Sequence, residues 1–320
     1  MPSILVSEVA PRDGLQSVQA IMPTAAKHRW IRAMAEAGVR EIEVGSFVPQ
    51  RLLPQLADSG EVVREAIRLP GLHVMALVPN LRGAQAALAA GAHKITIPVS
   101  ASEPHSLANV KKTHAQMIDE VRHIVAWRNA HHPTAKIESG VATAFGCTIA
   151  GKVGEDDVVR LAVTLAGCGV DEIGLADTTG YGNPAQVKRL FTRVRKEVGD
   201  LAGGAHFHNT RGQGLANVVA ALETGVTTFD SSLAGIGGCP YAPGASGNIV
   251  TEDLVFMLEA MGLDTGIDLV RLLDARAILA EALPGEPLYG HLADAGLPKG
   301  FVYADGRAVS TTAVDQTCVA

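Results

Sequence analysis

The chain has 320 residues, of which 47% are hydrophobic and 19% charged; this is enough apolar material for a large buried core and excludes a disordered or fibrous protein. Its 33 acidic and 27 basic residues give a net charge of −6, and no run of adjacent basic residues is longer than a pair such as Lys111 and Lys112, so we do not expect nucleic acid as a partner. No apolar run approaches the roughly 20 residues that cross a bilayer, and the first residues lack the pattern of a signal peptide, so we predict a cytoplasmic protein with no membrane partner.

Short β-branched runs alternate with segments of helical period along most of the chain. This pattern predicts eight strands, at residues 4–9, 40–45, 72–78, 94–99, 136–145, 171–176, 204–208 and 227–232. Several are nearly continuous apolar stretches, as expected of parallel strands that helices cover. Eight strand and helix pairs are the number found in a closed barrel, so the predicted fold class is α/β, a (β/α)8 TIM barrel.

The segments between these strands predict helices at residues 24–37, 59–69, 81–90, 106–129, 155–166, 184–198, 212–222 and 251–261. After about residue 263 the pattern changes to one more helical stretch, at residues 267–282, and then to a tail rich in glycine and proline. We therefore predict a catalytic barrel domain over residues 1–262 and a C-terminal helical extension, residues 263–320, packed on the barrel.

Polar residues follow several of the predicted strands at their carboxyl ends, where barrels of this kind carry their reactive groups. These candidate site residues are Arg12, Asp13 and Gln16 after strand one, Glu43 and Ser46 on or after strand two, Asp177 and Thr178 after strand six, and His206 and His208 on strand seven.

The two histidines of strand seven form the strongest single signal. Because residues two apart on a strand point to the same face, with Cα atoms roughly 6.5 Å apart, the imidazoles of His206 and His208 can reach one cation. Asp13 can supply an oxygen ligand from the facing strand. Imidazole with oxygen ligands predicts a metal site without choosing the metal, since zinc or cobalt would also be accepted.

Five glycines and two prolines crowd the segment that follows strand eight, residues 235–248. Such a loop approaches ligands closely, although it matches neither a phosphate loop nor a dinucleotide fingerprint. Cys239 lies within it, and we predict that its thiol takes part in acid–base chemistry. The four cysteines are too widely spaced for a disulfide framework, and a structural role is expected for Cys168 and Cys318.

Four motifs together resemble one enzyme family. They are Glu8-Val-Ala-Pro-Arg-Asp-Gly-Leu-Gln, Glu43-Val-Gly-Ser-Phe-Val, His206-Phe-His and, most specifically, Gly237-Gly-Cys-Pro-Tyr-Ala-Pro-Gly-Ala-Ser-Gly-Asn-Ile-Val-Thr-Glu-Asp. The chain resembles the 3-hydroxy-3-methylglutaryl-CoA lyases, which are metal-dependent carbon–carbon lyases built on a TIM barrel. Isopropylmalate and homocitrate synthases share the Arg-Asp and His-x-His elements but lack the cysteine loop.

This resemblance implies a reaction and a set of roles. The reaction is the retro-Claisen cleavage of 3-hydroxy-3-methylglutaryl-CoA into acetyl-CoA and acetoacetate, by an enzyme expected to be a homodimer. Asp13, His206, His208 and Asn248 would bind the divalent cation, Mg²⁺ or Mn²⁺. The catalytic set would be Arg12, which binds the thioester oxygen, Cys239, which moves protons in the loop, His206 as a base, and Glu43 and Asp177; Gln16, Ser46 and Thr178 would bind substrate with Arg12.

Three departures from the family pattern keep other substrates open. The segment Pro49-Gln50-Arg51-Leu52 replaces the usual Ser-Pro-Lys-Trp, Asn209 replaces the usual acidic residue after the second histidine, and the C-terminal extension is long. A related thioester, such as citramalyl-CoA or an analogue with a longer branch, is therefore an alternative. A condensing enzyme that uses a 2-oxo acid and a catalytically inactive binding protein are the remaining alternatives.

Overall fold

The computed structural model describes residues 4–237 and 247–309. Its centre is a closed barrel in which eight parallel strands follow one another in chain order. The strands are β1 (Leu5–Glu8), β2 (Glu41–Ser46), β3 (His73–Leu77), β4 (Lys94–Ser100), β5 (Lys136–Ala142), β6 (Glu172–Asp177), β7 (Ala202–Phe207) and β8 (Thr228–Ser231). Each predicted strand is present, and the predicted TIM barrel is confirmed.

Helices connect the strands on the outside of the barrel. They are α1 (Leu15–Ser17), α2 (Thr24–Glu36), α3 (Ser59–Ala66), α4 (Leu81–Ala89), α5 (Glu103–Asn109), α6 (His114–His131), α7 (Glu155–Gly167), α8 (Pro184–Val198), α9 (Gly214–Leu222), α10 (Thr251–Ala260), α11 (Leu269–Ala282) and α12 (His291–Ala295). None of them is long and apolar enough to cross a membrane, as judged over the described residues.

The predicted single helix over residues 106–129 is wrong, because α5 and α6 are separate helices. Lys111 between them has a backbone φ of 59°, which an α-helix does not tolerate. Thr113 then begins α6 with a capping box, in which its side chain accepts from Gln116 N while the Gln116 side chain accepts from Thr113 N. This reciprocal pair satisfies two of the free N–H groups at the start of α6.

Alternating burial along the strands separates a helix-facing side from a cavity-facing side. In β5, Ile137, Ser139 and Val141 are fully buried, while Glu138, Gly140 and Ala142 line a central cavity. The apolar contacts that hold the barrel together therefore lie between strands and helices. The inward side is left for polar groups and for a ligand.

A cluster of ionic side chains closes the amino-terminal end of the barrel. Lys94 Nζ lies 3.0 Å from a carboxylate oxygen of Glu41, 3.2 Å from Glu138 and 2.8 Å from Glu172. Burial alone lowers the pKa of Lys94, but the three carboxylates outweigh it and raise that pKa. Lys94 is thus held as a buried cation that ties β2, β4, β5 and β6 together.

Glu8, at the end of β1, connects the first and last strands of the barrel. Its Oε1 accepts from Leu233 N at 3.0 Å, and its Oε2 lies 2.7 Å from the hydroxyl of Thr251. Burial raises the pKa of Glu8 to about 8. The carboxyl group therefore holds the segment that follows β8 against β1.

The residues after 263 pack on the barrel. Helix α11 lies against α2, and Asp268 N donates to Ala37 O at 2.7 Å. The Tyr303 hydroxyl accepts from Leu269 N at 2.9 Å, which fixes the start of α11. This packing agrees with the predicted extension; its separation from the barrel at residue 263 as a domain boundary stays a prediction.

Candidate metal centre and active site

A cavity of about 1060 Å³ opens at the carboxyl ends of the strands and runs into the barrel. Most of the sequence-predicted site residues line it together: Arg12, Asp13, Gln16, Glu43, Ser46, Thr178, His206 and His208. A concave site of this size at this end of a barrel is the usual position of a TIM-barrel active site.

Asp13, His206 and His208 form a cluster that can hold a metal ion. Their ligand atoms all lie within 4.8 Å of one another. The two histidine Nε2 atoms are 3.1 Å apart, and Asp13 Oδ2 is 3.9 Å from His208 Nε2. Two imidazole nitrogens and one carboxylate oxygen suit a divalent cation.

Asn248 adjoins this cluster. Its Nδ2 donates to Asp13 Oδ2 at 2.8 Å, while its Oδ1 is buried and has no hydrogen-bond partner among the described residues. A buried amide oxygen without a partner is costly. A cation beside Asp13 would provide that partner, so the residues fit the metal that the resemblance implies.

The protonation states of Asp13 and His208 also suit a metal. Burial raises the pKa of Asp13, but the charge of Arg12, the neighbouring His206 and the hydrogen bond from Asn248 outweigh it, so the net pKa is lowered and the carboxylate stays ionised. Burial and the neighbouring His206 lower the pKa of His208 to about 4. His208 is therefore neutral, and its Nε2 lone pair is available as a ligand.

Local backbone structure brings these groups to the mouth of the barrel. After β1 the chain makes a short π-helix, Ala10–Gly14, in which Asp13 N donates to Val9 O at 2.7 Å. On the opposite side, Phe207 packs outward, with its ring centroid 5.9 Å from that of Phe145. His206 and His208 therefore both face inward, as their spacing predicts, although His208 lies one residue beyond β7.

Arg12 lies beside the cluster of Asp13, His206 and His208, and its guanidinium contacts the carboxylates of Asp13 and Glu43. Its Nη1 is 2.5 Å from Asp13 Oδ1, and its Nε donates to Glu43. Burial alone would lower the pKa of Arg12, but Glu43 and Asp13 raise it, so the guanidinium is permanently charged. Glu43 in turn accepts from the Thr96 hydroxyl, and burial raises the pKa of Glu43 despite these partners.

The three predicted substrate-binding residues have different surroundings. Gln16 Nε2 donates to Asp13 Oδ1 at 2.7 Å, so Gln16 orients the metal-site carboxylate. The Ser46 hydroxyl is buried and has no partner among the residues that the structure describes, which leaves it available to a ligand. The Thr178 hydroxyl accepts from Thr143 N at 2.9 Å.

Asp177 is not brought into the cavity with the others. Its Oδ1 accepts from Tyr181 N at 2.8 Å and its Oδ2 from Gly182 N at 3.0 Å. Burial raises the pKa of Asp177 to about 6. The carboxyl group thus holds the loop after β6 in place, and its catalytic role stays a prediction.

Cys239 lies outside the described residues. Gly237 and Gly247, on either side of residues 238–246, both have positive φ and approach each other so closely that a Cβ on Gly247 would lie 1.9 Å from Gly237 O. A Cβ on Gly237 would lie 2.8 Å from Asn248 Nδ2. The glycines are therefore required where the chain passes the metal cluster.

Sequence reasoning missed two important residues in the cavity wall. Asp230 on β8 lies 3.0 Å, through its Oδ2, from His206 Nδ1, which directs the other ring nitrogen toward the metal position. Glu138 lines the cavity below, and burial raises its pKa to about 7. Both are carboxylates at inward-facing strand positions. The alternation of inward-facing and outward-facing residues along each strand was the available signal for them.

The two histidines of the cluster differ in the hydrogen bonding of their Nδ1 atoms. His206 Nδ1 forms a hydrogen bond with Asp230 Oδ2, whereas His208 Nδ1 is buried without a hydrogen-bond partner in residues 4–237 and 247–309. Asn209, which replaces the usual acidic residue, instead accepts from Gly214 N at 3.0 Å. The C-terminal extension also reaches the site, because Glu286, Pro287 and Tyr289 line the cavity.

Comparison with known proteins places these features in a family. Residues 3–279 match the family model described as HMGL-like. The chain is 40% identical over 280 residues to the cytoplasmic 3-hydroxy-3-methylglutaryl-CoA lyase of Mus musculus, covering 88% of this chain and 81% of that protein. It is 41% identical over 281 residues to the mitochondrial hydroxymethylglutaryl-CoA lyase of Gallus gallus, covering 88% and 93%.

Among solved structures, the fold is similar to an HMG-CoA lyase from Acinetobacter baumannii in complex with coenzyme A and 3-methylmalate. The TM-score is 0.88 at 41% identity, over 93% of this chain and 97% of that one. The HMG-CoA lyase of Bacillus subtilis gives a TM-score of 0.87 at 37% identity, over 92% and 99%.

Proposed function

The chain belongs to the HMGL-like family, and from that premise we propose that it is a lyase that cleaves 3-hydroxy-3-methylglutaryl-CoA into acetyl-CoA and acetoacetate. The observation that carries the proposal is the position of Arg12 beside the cluster of Asp13, His206 and His208 in one cavity. About 40% identity to HMG-CoA lyases over 88% of the chain supports it.

The reaction breaks the bond between C2 and C3. The proton of the C3 hydroxyl leaves, its electron pair forms the ketone of acetoacetate, and the C2–C3 pair moves into the thioester to form an enolate. A proton added to C2 then yields acetyl-CoA. The protein must hold the hydroxyl, accept its proton, stabilise the enolate oxygen and supply the last proton.

We propose Mg²⁺ or Mn²⁺ as the cofactor, held by Asp13, His206, His208 and Asn248. The divalent cation would act as a Lewis acid toward the oxygens of the substrate and lower the pKa of its hydroxyl. Asp13 and the two imidazoles supply the ligand atoms, and Gln16 and Asp230 keep Asp13 and His206 in orientation. The cluster of Asp13, His206 and His208 supports a divalent metal without choosing between the two ions.

Arg12 is proposed to bind the thioester oxygen and stabilise the enolate. Its guanidinium is charged, and Asp13 and Glu43 hold it from two sides. Loss of one such donor typically costs about 3 to 4 kcal/mol in the transition state. Glu43 is proposed to accept the hydroxyl proton, since it lines the cavity beside Arg12 and burial raises its pKa. The predicted base role of His206 is not kept here, because its Nδ1 faces Asp230 and its other ring nitrogen would bind the metal.

The test is acetyl-CoA release from 3-hydroxy-3-methylglutaryl-CoA by purified protein with Mg²⁺ or Mn²⁺ and with EDTA. We expect activity only with metal, and loss of it by about 100-fold or more in Arg12→Gln. Arg160→Gln, whose guanidinium pairs with Asp157 at the surface, is the matched control and should behave as wild type. Equal activity of wild type and Arg12→Gln would contradict the role of Arg12, and silence with this thioester would contradict the substrate.

Further parts of the proposal rest on the family resemblance. We propose Cys239 as the donor of the final proton, so thiol alkylation should inactivate the enzyme and bound substrate should protect it. A homodimer and a cytoplasmic location are also proposed; the Mus musculus relative is named as cytoplasmic and the Gallus gallus relative as mitochondrial. Sedimentation of the purified protein and fractionation of cells test these two points.

A further inference from the structure

Three glycines lie side by side on the inner wall of the barrel. Gly140 on β5 pairs in register with Gly174 on β6, and Gly174 pairs with Gly204 on β7. All three line the cavity. Because inward positions of a TIM barrel are normally filled by bulky side chains, this glycine row leaves a space that an ordinary barrel would lack.

The space is open mainly at Gly140. A Cβ built on Gly174 would lie 2.8 Å from Glu138 Oε1, and one on Gly204 would lie 3.3 Å from the same atom, so the Glu138 side chain already occupies the room beside them. A Cβ on Gly140 would meet nothing within 4 Å among the described residues. Gly140 therefore borders unfilled cavity.

This open space lies one inward-facing layer below the metal cluster. His206 follows Gly204 by two residues on β7, which is roughly 6.5 Å along the strand. On the other side, Gly140 pairs with Pro98 of β4, whose side chain also lines the cavity. A substrate carbon held between Arg12 and the metal ligands would thus have a short substituent directed toward Gly140.

The charges around the space select which substituent enters. Glu43, Glu138 and Asp230 line the same cavity. Their basic neighbours, which are Arg12, Lys94 and His206 respectively, are already engaged by these carboxyl groups. A carboxylate arm would meet these carboxyl groups without gaining a new cationic partner from them, so like charge disfavours it there. The uncharged C3 substituent is therefore the group that fits.

We propose that the space beside Gly140 binds the C3 substituent of the substrate, and that this chain cleaves 3-hydroxyglutaryl-CoA thioesters whose uncharged C3 branch is longer than methyl. The proposal rests on the lyase reaction proposed above and names its specificity-determining residue. For a C3 butyl group the reaction balances as for methyl: the C2–C3 bond breaks, and acetyl-CoA and the longer 3-oxo acid are released.

The experiment compares kcat/KM for 3-hydroxy-3-methylglutaryl-CoA and 3-hydroxy-3-butylglutaryl-CoA in wild type, Gly140→Ala and Gly140→Val. Gly140 has no positive φ, so a side chain can be added there without backbone strain. We expect wild type to cleave both thioesters. Gly140→Val should lower kcat/KM for the butyl compound by about 100-fold, since each misplaced methylene costs about 10–200-fold, and should lower it less for the methyl compound, so that the ratio of the two values falls.

Gly203→Val is the matched control. Gly203 lies on β7, a Cβ there would also meet nothing within 4 Å in the described part of the chain, and it does not line the cavity. This variant should treat both thioesters as wild type does. Gly140→Ala should fall between wild type and Gly140→Val, which keeps the test valid if the larger substitution reduces the folded fraction.

Each result has a distinct meaning. If wild type cleaves the methyl compound but not the butyl compound, or if Gly140→Val affects both equally, this inference is overturned while the proposed function stands. If only the butyl compound is cleaved, the inference stands and the acyl group of the proposed function is wrong. If neither is cleaved, both are overturned.

Discussion

Removal of the Asp230 carboxylate should weaken the metal site without touching any proposed metal ligand. Asp230 Oδ2 lies 3.0 Å from His206 Nδ1 and is the group that fixes which nitrogen of that ring faces Asp13 and His208. Loss of such a supporting carboxylate typically lowers metal affinity by about 10–100-fold, which corresponds to about 1.4 to 2.7 kcal/mol. We therefore expect this loss in Asp230→Ala, and a smaller one in Asp230→Asn, which keeps an acceptor but not the charge.

Titration calorimetry of metal-free protein with Mn²⁺ measures this directly. Asp119→Ala is a suitable control, because Asp119 pairs with Arg122 at the surface, at 2.8 Å, and lies on α6 away from the cavity. Thermal unfolding of the metal-free variants separates a loss of affinity from a loss of fold. A Kd for Asp230→Ala within twofold of wild type would refute the orienting role of Asp230.

Three further predictions concern metal affinity, stability and pH. His208→Ala should lower Mn²⁺ affinity, because it removes one ligand of the cluster; unchanged metal content after dialysis would count against the ligand assignment. Lys94→Met should destabilise the fold by about 3 to 5 kcal/mol, because it leaves the buried carboxylates around Lys94 without their cation; chemical unfolding with no shift in midpoint would exclude that. Burial raises the pKa of Glu8 from 4.5 to about 8. The stabilisation that Glu8 gives to the folded state is therefore complete below about pH 4.5 and is lost as pH rises toward 8. The stability difference between wild type and Glu8→Gln should therefore change in the variant's favour across that range in thermal unfolding, and a constant difference would show that Glu8 does not titrate there.

The barrel could be predicted from the sequence because its signal is repeated. Eight apolar strand segments alternate with helical periods, and tertiary contacts reinforce the same pattern at each step. The prediction failed at residues 110–113, where the backbone of Lys111 and the capping box of Thr113 divide one helical period into two helices. Local hydrogen bonding of this kind is not visible in hydrophobic periodicity.

For the site, the sequence shows which residue types occur at strand ends but not what each side chain binds. His206 and His208 could be found because their spacing alone places them on one face. Asp177 also lies at the carboxyl end of a strand, yet two backbone N–H groups of the following loop donate hydrogen bonds to its carboxylate oxygens. Asp230 and the glycine row lie within strands, where a single aspartate or glycine indicates only a weaker strand.

The join that Glu8 makes between β1 and the segment after β8 also bears on how the protein is synthesised. Glu8 emerges from the ribosome more than two hundred residues before its partners Leu233 and Thr251. At 5–20 residues per second, roughly 12–50 s pass before both ends exist. Until β8 is made, the first strand has no neighbour on one edge, so nascent chains of this protein need protection until that strand arrives, and release of a chain truncated before Thr228 leaves an open sheet that is prone to aggregate.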